Sequence, residues 1–301
     1  MIQIKNVTRR FGRITALNSV SFSVEKGETL GILGPNGSGK STLINILLGI
    51  LRPNEGEATF ENLPIWPNRE QILPRFGAVI EIPRLYPKLS GSKNLHIFAS
   101  YLGIENAGRR IDELLQLVKL AEAGEMKFQN YSLGMKQRLG IALCLLNDPE
   151  VLIFDEPTNG LDPEGIVQVR EVILHLAGLG KTVLLCSHLI HEVEMVCDKV
   201  VILKNGNLVK TMNASELQNR ETSYEIETFD NSSYEKLLGL TQKNNDLKIL
   251  SKNEKKNQMV ITLSKEPDYQ VLSDFVKSGV KISSFQKKSV SLETIFMESL
   301  Q

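Results

Sequence analysis

Residues 29–42 read TLGILGPNGSGKST, a short apolar run that leads directly into a glycine-rich loop. The run Thr29–Leu33 lacks the alternation of a half-buried strand, which is typical of a central parallel strand covered on both faces. The loop fits the pattern G-x-x-x-x-G-K-S/T, and a helical pattern, STLINILLG, follows from Ser41. In this context glycines let backbone N–H groups surround phosphate oxygens, and the helix N-terminus adds partial positive charge. The stretch therefore predicts an α/β fold with a phosphate-binding loop.

The loop has the residue types needed to hold a nucleotide. Lys40 is expected to reach the β- and γ-phosphates, and Ser41 is expected to hold Mg²⁺. The alternative is a glycine-rich turn with a solvated lysine, which the rarity of a chance match between a strand and a helix disfavours. The predicted phosphate-binding residues are Gly34, Pro35, Asn36, Gly37, Ser38, Gly39, Lys40, Ser41 and Thr42.

Two adjacent carboxylates follow a second apolar run, VLIF at 151–154. A buried strand that ends here places Asp155 at the carboxyl edge of the sheet, where ligands bind in open α/β folds. Asp155 is therefore predicted to lie on the metal side of the nucleotide, and Glu156 to polarise an attacking water. The alternative, two acids that cap a helix, is weaker because a phosphate-binding loop is predicted at the same edge.

A histidine follows a third apolar run, TVLLC at 182–186, directly after Ser187. A lone histidine is more often a surface or satisfied core residue. Because this sheet edge already carries the predicted nucleotide site, His188 is instead expected to hydrogen-bond the γ-phosphate and the attacking water.

The rest of the first two thirds of the chain surrounds these strands. Residues 2–7 and 20–24 alternate between apolar and polar, which predicts an antiparallel β-layer. Residues 85–147 or so have apolar residues at helical spacing and are interpreted as a helical insertion. Asn205-Gly206 joins two short apolar runs, a strong hairpin signal that marks the end of the main domain near residue 215.

Residues 220–301 have a different pattern, without a cluster of chemically active side chains. Runs with strand and helix character alternate as β-α-β-β-α-β, which predicts a small α+β domain of the ferredoxin-like type. A short helix over Ser291–Leu300 is expected to close the chain. The plainest interpretation is an accessory packing or dimerisation domain.

Composition excludes several classes. Of 301 residues, 35 are basic and 35 acidic, so no overall field points to nucleic acid or a membrane surface. The three cysteines, Cys144, Cys186 and Cys197, lack metal-ligand spacing and are expected to be buried free thiols in a reducing compartment. The longest apolar run, at 44–51, is far too short to span a membrane, so we expect no membrane-spanning helix.

The ordered set of Phe11, GPNGSGKST, YSLGMKQR at 131–138, VLIFDEPTNGLD at 151–162 and Ser187-His188 resembles the ATPase subunits of ABC transporters over residues 1–215. The resemblance implies a P-loop NTPase fold with ATP and Mg²⁺ as ligands. YSLGMKQR occupies the place of the family signature LSGGQ; Ser132 and Gly134 match, whereas Tyr131, Leu133 and Met135 depart from it. The signature is implied to contact the γ-phosphate of an ATP held by a second copy.

Three further roles are implied by the resemblance. Phe11 matches the aromatic that stacks on adenine, with a core aromatic as the alternative. Asp162 matches the loop that crosses the dimer interface beside the partner's catalytic glutamate. Glu81, in Glu-Ile-Pro, stands where the family has a Mg²⁺-contacting glutamine. A carboxylate oxygen can serve Mg²⁺ as well as an amide oxygen, so the implied metal-side residues are Ser41, Glu81 and Asp155.

The resemblance extends to the bacitracin and lantibiotic self-protection exporters, and implies a peripheral subunit at the cytoplasmic face of a bacterial membrane. Its implied partners are a separate transmembrane permease and a second ATPase subunit, as a homodimer or a related pair, with no nucleic acid. A soluble ABC ATPase that remodels nucleic acid or ribosomes is the alternative; one cassette and no heptad run disfavour it. A regulator that does not hydrolyse ATP is disfavoured by Glu156 and His188.

Overall fold

The computed structural model describes residues 1–213, 223–244, 246–263, 268–288 and 296. The chain divides into two units, Met1–Ala214 and Ser215–Ser299, each with its own core. The elements of the first unit are β1 (Ile2–Phe11), β2 (Ile14–Val24), β3 (Thr29–Leu33), α1 (Lys40–Leu47), β4 (Glu55–Phe60), β5 (Leu63–Pro64), α2 (Arg69–Ile72), β6 (Phe76–Ile80), α3 (Gly91–Tyr101), α4 (Gly108–Leu117), α5 (Leu133–Cys144), β7 (Val151–Asp155), α6 (Pro163–Gly178), β8 (Thr182–Ser187), α7 (Ile190–Val196), β9 (Lys199–Lys204) and β10 (Asn207–Asn213).

A six-stranded sheet with the order β10-β9-β3-β8-β7-β6 forms the centre of the first unit. All its neighbouring strands are parallel except β10, which runs antiparallel to β9. Every residue of β3, β7 and β8 is buried, which explains why these segments lack polar alternation. The three predicted central strands are confirmed, and their carboxyl ends meet at one edge.

The predicted antiparallel layer is a second sheet with the order β2-β1-β4-β5. In it Ile2 pairs with Val24 and with Phe60. One buried cluster joins Ile2 to Leu30 of the central sheet and Leu43 of α1. This shared core fixes the helix that follows the glycine-rich loop against both sheets.

Helices α3, α4 and α5 form the predicted helical insertion. The side chain of Ser90 caps α3 by accepting the N–H of Lys93. Arg138 of α5 donates to the carbonyls of Val118 and Lys119 at 2.9 Å each, and so satisfies free carbonyls just beyond the end of α4. Burial lowers the pKa of Arg138. These bonds hold α5 and α4 together.

The predicted hairpin at Asn205-Gly206 is confirmed as the turn between β9 and β10. The φ angles are 48° at Asn205 and 78° at Gly206, both in the left-handed region. Two left-handed residues make the type of turn whose twist matches that of the two strands it joins.

The second unit has the predicted β-α-β-β-α-β order. Its elements are β11 (Ser223–Thr228), α8 (Asn231–Lys243), β12 (Leu247–Asn253), β13 (Gln258–Leu263), α9 (Asp268–Lys277) and β14 (Ile282–Lys288). The four-stranded antiparallel sheet has the order β12-β13-β11-β14, as in ferredoxin-like folds. Tyr234, Met259 and Phe275 lie in its buried cluster. The predicted helix over Ser291–Leu300 lies outside the described residues except for the buried Phe296.

The three cysteines are free thiols, as expected. Cys186 and Cys197 are buried, whereas Cys144 is only partly buried, which departs from the expectation for that residue. Across the described ranges, the structure contains no helix with both the length and the apolarity needed to cross a membrane.

Candidate nucleotide-binding site

A cleft of about 920 Å³ opens at the carboxyl edge of the central sheet. Its walls come from the glycine-rich loop, the start of β2, the segment after β6, α5 and the end of β7. The lining residues are Ile14, Thr15, Ala16, Asn36, Gly37, Ser38, Gly39, Lys40, Ser41, Thr42, Glu81, Ile82, Arg84, Gln137, Asp155, Glu156, Asn159 and Asn205.

The glycine-rich loop is wrapped around its own lysine. Lys40 Nζ donates to the carbonyl oxygens of Gly34 at 2.6 Å and Pro35 at 3.3 Å, and the side chain is 7% exposed. Gly39, which precedes α1, has a φ of 109°. A Cβ added there would lie 2.6 Å from the carbonyl oxygen of Ala16, so only glycine fits. The loop therefore presents backbone N–H groups and one ammonium group at the start of a helix, which suits a phosphate chain.

The β9–β10 turn packs against this loop. The N–H of Gly206 donates to the carbonyl of Ser38 at 3.0 Å, and the carbonyl of Gly206 accepts the N–H of Asn18 at 2.8 Å. A Cβ on Gly206 would lie 2.7 Å from the carbonyl oxygen of Ala16. The turn thus ties the phosphate-binding loop to β2, which lines the other side of the cleft.

Asp155 lies at the buried end of β7, as predicted. Ser41 Oγ donates to its Oδ2 at 3.4 Å. Burial raises the pKa of Asp155, and the negative charge of Glu156 raises it further, while the bond from Ser41 lowers it. Burial and the charge of Glu156 therefore disfavour the ionised form of Asp155, and a bound cation would favour it.

Glu156 lies between a cation and a histidine. Its Oε1 is 4.0 Å from Lys40 Nζ, and its Oε2 is 2.7 Å from His188 Nδ1. The backbone N–H of His188 also donates to Oε2 at 3.3 Å. Glu156 itself has a φ of 49°, a strained conformation that the bond from its N–H to the carbonyl of Cys186, at 2.9 Å, helps to hold. The structure thus brings the three predicted catalytic and phosphate-binding side chains together.

Glu81 lines the same cleft and has a φ of 64°, in the left-handed region. Pro83, two residues on, packs on α5 so closely that a Cβ on Gly140 would lie 2.2 Å from its Cγ. The segment that carries Glu81 is therefore in direct contact with the helix that begins next to Ser132.

The oxygen ligands in the cleft fit Mg²⁺ held together with a nucleotide. Ser41 and Asp155 are in contact, and Glu81 lines the same space. Within the described ranges, no group of three or more His, Cys, Asp or Glu is arranged to hold a metal ion alone. Mg²⁺ typically takes one or two protein oxygens and completes its shell with phosphates and water, so this arrangement suits it.

Ser132, Gly134 and Asp162 do not line the cleft of their own chain. Ser132 caps α5 by accepting the N–H of Met135 at 3.2 Å, and Asp162 caps α6 by accepting the N–H of Gly165 at 3.1 Å. A Cβ on Gly134 would lie 3.5 Å from the Cα of Gly165, so the two helix starts adjoin. These residues form a second cluster, separate from the cleft.

Tyr131, one of the departures from the signature, is buried beside α3. Its hydroxyl donates to the carbonyl of Ala123 at 2.8 Å. A Cβ on Gly91 would lie 2.2 Å from this hydroxyl oxygen, so Gly91 makes room for the larger ring. Burial raises the pKa of Tyr131. The tyrosine ring at this position is therefore accommodated by a glycine beside it.

Phe11 is 44% exposed, and the guanidinium of Arg9 lies 4.6 Å from the centre of its ring. The core-aromatic alternative is therefore wrong. The ring is not among the residues that line the cleft, whereas Ile14, Thr15 and Ala16, across the same hairpin, are. Stacking of Phe11 on adenine stays a prediction.

Sequence reasoning missed several residues of the cleft. Arg84 directly follows the Glu-Ile-Pro segment, and Asn159 lies three residues after Glu156. Their closeness in sequence to these motifs could have identified them as residues of the cleft. Gln137 is buried on α5, and nothing in the sequence separates it from a core residue. Asn205 was recognised only as a turn residue. The missed residues are Ile14, Thr15, Ala16, Ile82, Arg84, Gln137, Asn159 and Asn205.

Comparison with known proteins agrees with this fold and site. The family profile for ABC transporters matches residues 17–159, and the profile for the C-terminal domain of DrrA1-3-like ATP-binding proteins matches residues 214–300. The ABC transporter ATP-binding protein YhcH of Bacillus subtilis is 37% identical over 304 residues, covering 99% of this chain and 95% of that protein. The chain belongs to the family of ABC transporter ATP-binding proteins, and it is an ATPase.

Two relatives with named cargo are also similar. The lantibiotic transport ATP-binding protein SrtF of Streptococcus pyogenes is 39% identical over 69% of this chain and 89% of its own length. The bacitracin transport ATP-binding protein BcrA of Enterococcus faecalis is 36% identical over 74% of this chain and 73% of its own length.

Solved structures of ATP-binding cassettes have the same fold as the first unit. The cassette MJ0796, a dimer bound to ADP and phosphate after hydrolysis, aligns with a TM-score of 0.63 at 28% identity, over 71% of this chain and 99% of its own. The cassette MJ1267 in its ADP conformation gives a TM-score of 0.66 at 26% identity, over 73% and 93%.

Proposed function

We propose that two copies of this chain enclose two ATP molecules and power the export of a peptide antibiotic or a similar compound through a separate membrane subunit. Relatives named for lantibiotic and bacitracin transport support the cargo class. The dimeric cassette bound to ADP and phosphate supports the pairing. The chain works at the cytoplasmic face of the membrane, where ATP is available.

The contact of Glu156 with both Lys40 and His188 carries this proposal. Lys40 binds the β- and γ-phosphates, as its position in the loop favours. Glu156 accepts a hydrogen bond from the attacking water and orients it toward the γ-phosphate. His188, 2.7 Å from the same carboxylate, holds that carboxylate in place and contacts the γ-phosphate.

Ser41, Asp155 and Glu81 are the protein ligands on the metal side of the nucleotide. Mg²⁺, when bound with ATP, offsets negative charge on the phosphates and on Asp155. The exchange of the family's glutamine for Glu81 adds one negative charge to the cleft. Glu81 therefore raises the dependence of ATP binding on the cation.

The second cluster completes the site of the other copy. Ser132 and Gly134 present a hydroxyl, a bare backbone and the N-terminus of α5 to the γ-phosphate bound by the partner. Asp162 lies beside the partner's site, at the start of α6. Closure follows from phosphate contacts that only the closed dimer makes, and hydrolysis removes them.

The remodelling of nucleic acid or ribosomes, the alternative class, receives no support from the relatives described above, which are named as transporter subunits. The balanced charge also favours no polyanionic partner.

The test uses Glu156→Gln, with Glu113→Gln as the matched control, because Glu113 is an exposed acid on α4 that pairs with Arg109 on the same helix. Glu156→Gln is expected to lose about 10²- to 10³-fold in ATP turnover while it still binds ATP and sediments as a dimer with it. Tagged Glu156→Gln, purified from detergent-treated host membranes with ATP, is expected to retain a polytopic membrane protein. Full turnover by this variant, or recovery of ribosomal or DNA-bound partners alone, would contradict the proposal.

A further inference from the structure

A largely buried ion pair joins the two helices that follow the catalytic loops. Arg170 of α6 donates to Glu192 of α7, with 3.2 Å between the nitrogen and the carboxylate oxygen. Their side chains are 19% and 11% exposed. Charges withdrawn from water to this degree depend on each other, since removing one partner leaves the other without compensation.

The pair lies directly behind the loops that carry Glu156 and His188. Arg170 and Glu192 line a small cavity of about 10 Å³ together with Thr158, two residues after Glu156, and Ser187, the residue before His188. The cavity holds at most about one water molecule. Little water is therefore available to hydrate either charge if its partner is lost. A movement of the pair would also displace its neighbours in the loops of Glu156 and His188.

Helix α7 is a short element between His188 and β9. It is seven residues long, begins at Ile190, and has no side-chain cap at its start. Val193 and Val196 bury one face of the helix, and the bond from Arg170 to Glu192 adds a directional contact to this apolar packing. Only Leu189 separates His188 from this helix, so a displaced α7 moves the imidazole.

We propose that Arg170 and Glu192 are positioning residues that keep His188 against Glu156. Because Asp162 caps α6, the pair also links the helix that follows the predicted dimer-facing loop to the hydrolytic site. The expected effect of the ion pair on turnover rests on the proposed roles of Glu156 and His188. Its effect on the position of the His188 side chain does not depend on those roles and can be measured separately.

The direct test observes the histidine side chains by NMR in nucleotide-free protein labelled at histidine. The chain has four histidines, and His188→Gln identifies the signal of His188. Arg170→Met and Glu192→Gln are each expected to move that signal, whereas Arg170→Lys keeps the charge and is expected to leave it near its original position. Glu171→Gln is the matched control, because it removes the neighbouring ion pair with Lys119 on the exposed face of α6.

Steady-state kinetics give the second readout. Arg170→Met and Glu192→Gln are expected to lower kcat by about tenfold with KM changed less than about twofold, and Glu171→Gln to change neither. An unmoved His188 signal in a folded Glu192→Gln protein would overturn the proposal, even if Arg170→Met does not fold. A moved signal with unchanged kcat would support the positioning role and contradict the catalytic role proposed for His188.

Discussion

Gly140→Ala tests whether the contact between α5 and the segment that carries Glu81 controls turnover. The new Cβ would lie 2.2 Å from Pro83 Cγ and 3.3 Å and 3.4 Å from the Cβ and Cδ of the same ring. Carbon atoms in contact normally lie about 3.5–4.0 Å apart. The proline ring cannot rotate away, so the segment must move by roughly 1.5 Å.

Two opposing effects set the magnitude. Overpacking of this kind costs about 1–3 kcal/mol. Replacing glycine by alanine inside a helix returns about 1 kcal/mol. The expected net loss in the free energy of unfolding is therefore about 0–2 kcal/mol. Turnover is expected to fall further, by about 10- to 100-fold, because displacing a group near a reacting centre by 1 Å can cost that much.

Thermal denaturation and steady-state ATP hydrolysis measure the two effects on the same preparations. Gly239→Ala is the matched control: it is the same substitution inside helix α8, and a Cβ there meets nothing within 4 Å. This control is expected to gain about 0.5–1 kcal/mol in stability and to leave turnover unchanged.

Pro83→Ala removes Cγ, the ring atom that the new methyl group would meet at 2.2 Å, together with Cδ. In the Gly140→Ala background it is expected to restore part of the lost turnover, so that the two changes are not additive. Full turnover by Gly140→Ala alone, or strictly additive losses in the double variant, would refute the coupling between this segment and α5.

Three further predictions concern the site. Asp155→Asn is expected to raise the melting temperature of nucleotide-free protein at neutral pH. The pKa of Asp155 is higher in the folded protein than in the unfolded chain, so the unfolded chain releases this proton first as pH rises above about 4. The ionised carboxylate therefore lowers the stability of the parent protein at neutral pH, and the amide does not. Thermal scans against pH check this, and the difference from the parent should vanish below about pH 4. Glu81→Gln is expected to keep most of its kcat, since an amide oxygen can replace the carboxylate; complete loss would mean that the carboxylate does more than hold metal. Tyr131→Phe is expected to lower the free energy of unfolding by about 0.5–1.5 kcal/mol, measured in urea, because the carbonyl of Ala123 loses one of its two donors and keeps the N–H of Met126; an unchanged midpoint would contradict this.

The sequence predicted those residues of the site that follow a buried strand directly along the chain. Lys40 follows β3 through one unbroken loop, and Asp155 and His188 each follow a buried strand. Parallel strands place their carboxyl ends at one edge, so strand and motif together were enough to bring these residues into one cleft.

Other residues of the cleft depend on packing between distant segments. Gln137 reaches it only because α5 lies against the segment of Glu81, a contact set by the shapes of Pro83 and Gly140. The pairing of Arg170 with Glu192 likewise depends on how two helices meet. Periodicity along one segment carries no record of such contacts.

Three strands of the first unit, β4, β5 and β6, were not predicted, and local sequence explains two of them. The segment of β4, Glu55–Phe60, begins with three exposed residues and contains Gly56, whose φ is 71°. A Cβ on Gly56 would lie 2.2 Å from the carbonyl oxygen of Asn6, so the glycine serves close strand pairing although it resembles a turn residue. Strand β6, Phe76–Ile80, is short and includes Gly77, which weakened its apolar signal.

The bond from Gly206 to Ser38 has a consequence for how the protein is made. A nascent chain that ends before residue 206 already contains the whole glycine-rich loop, yet the carbonyl of Ser38 lacks this donor and β2 lacks the turn packed on Ala16. The cleft therefore becomes complete only after nearly all of the first unit has left the ribosome. Once it is complete, bound ATP stabilises the last hairpin as well as the loop, because both belong to the same folded state.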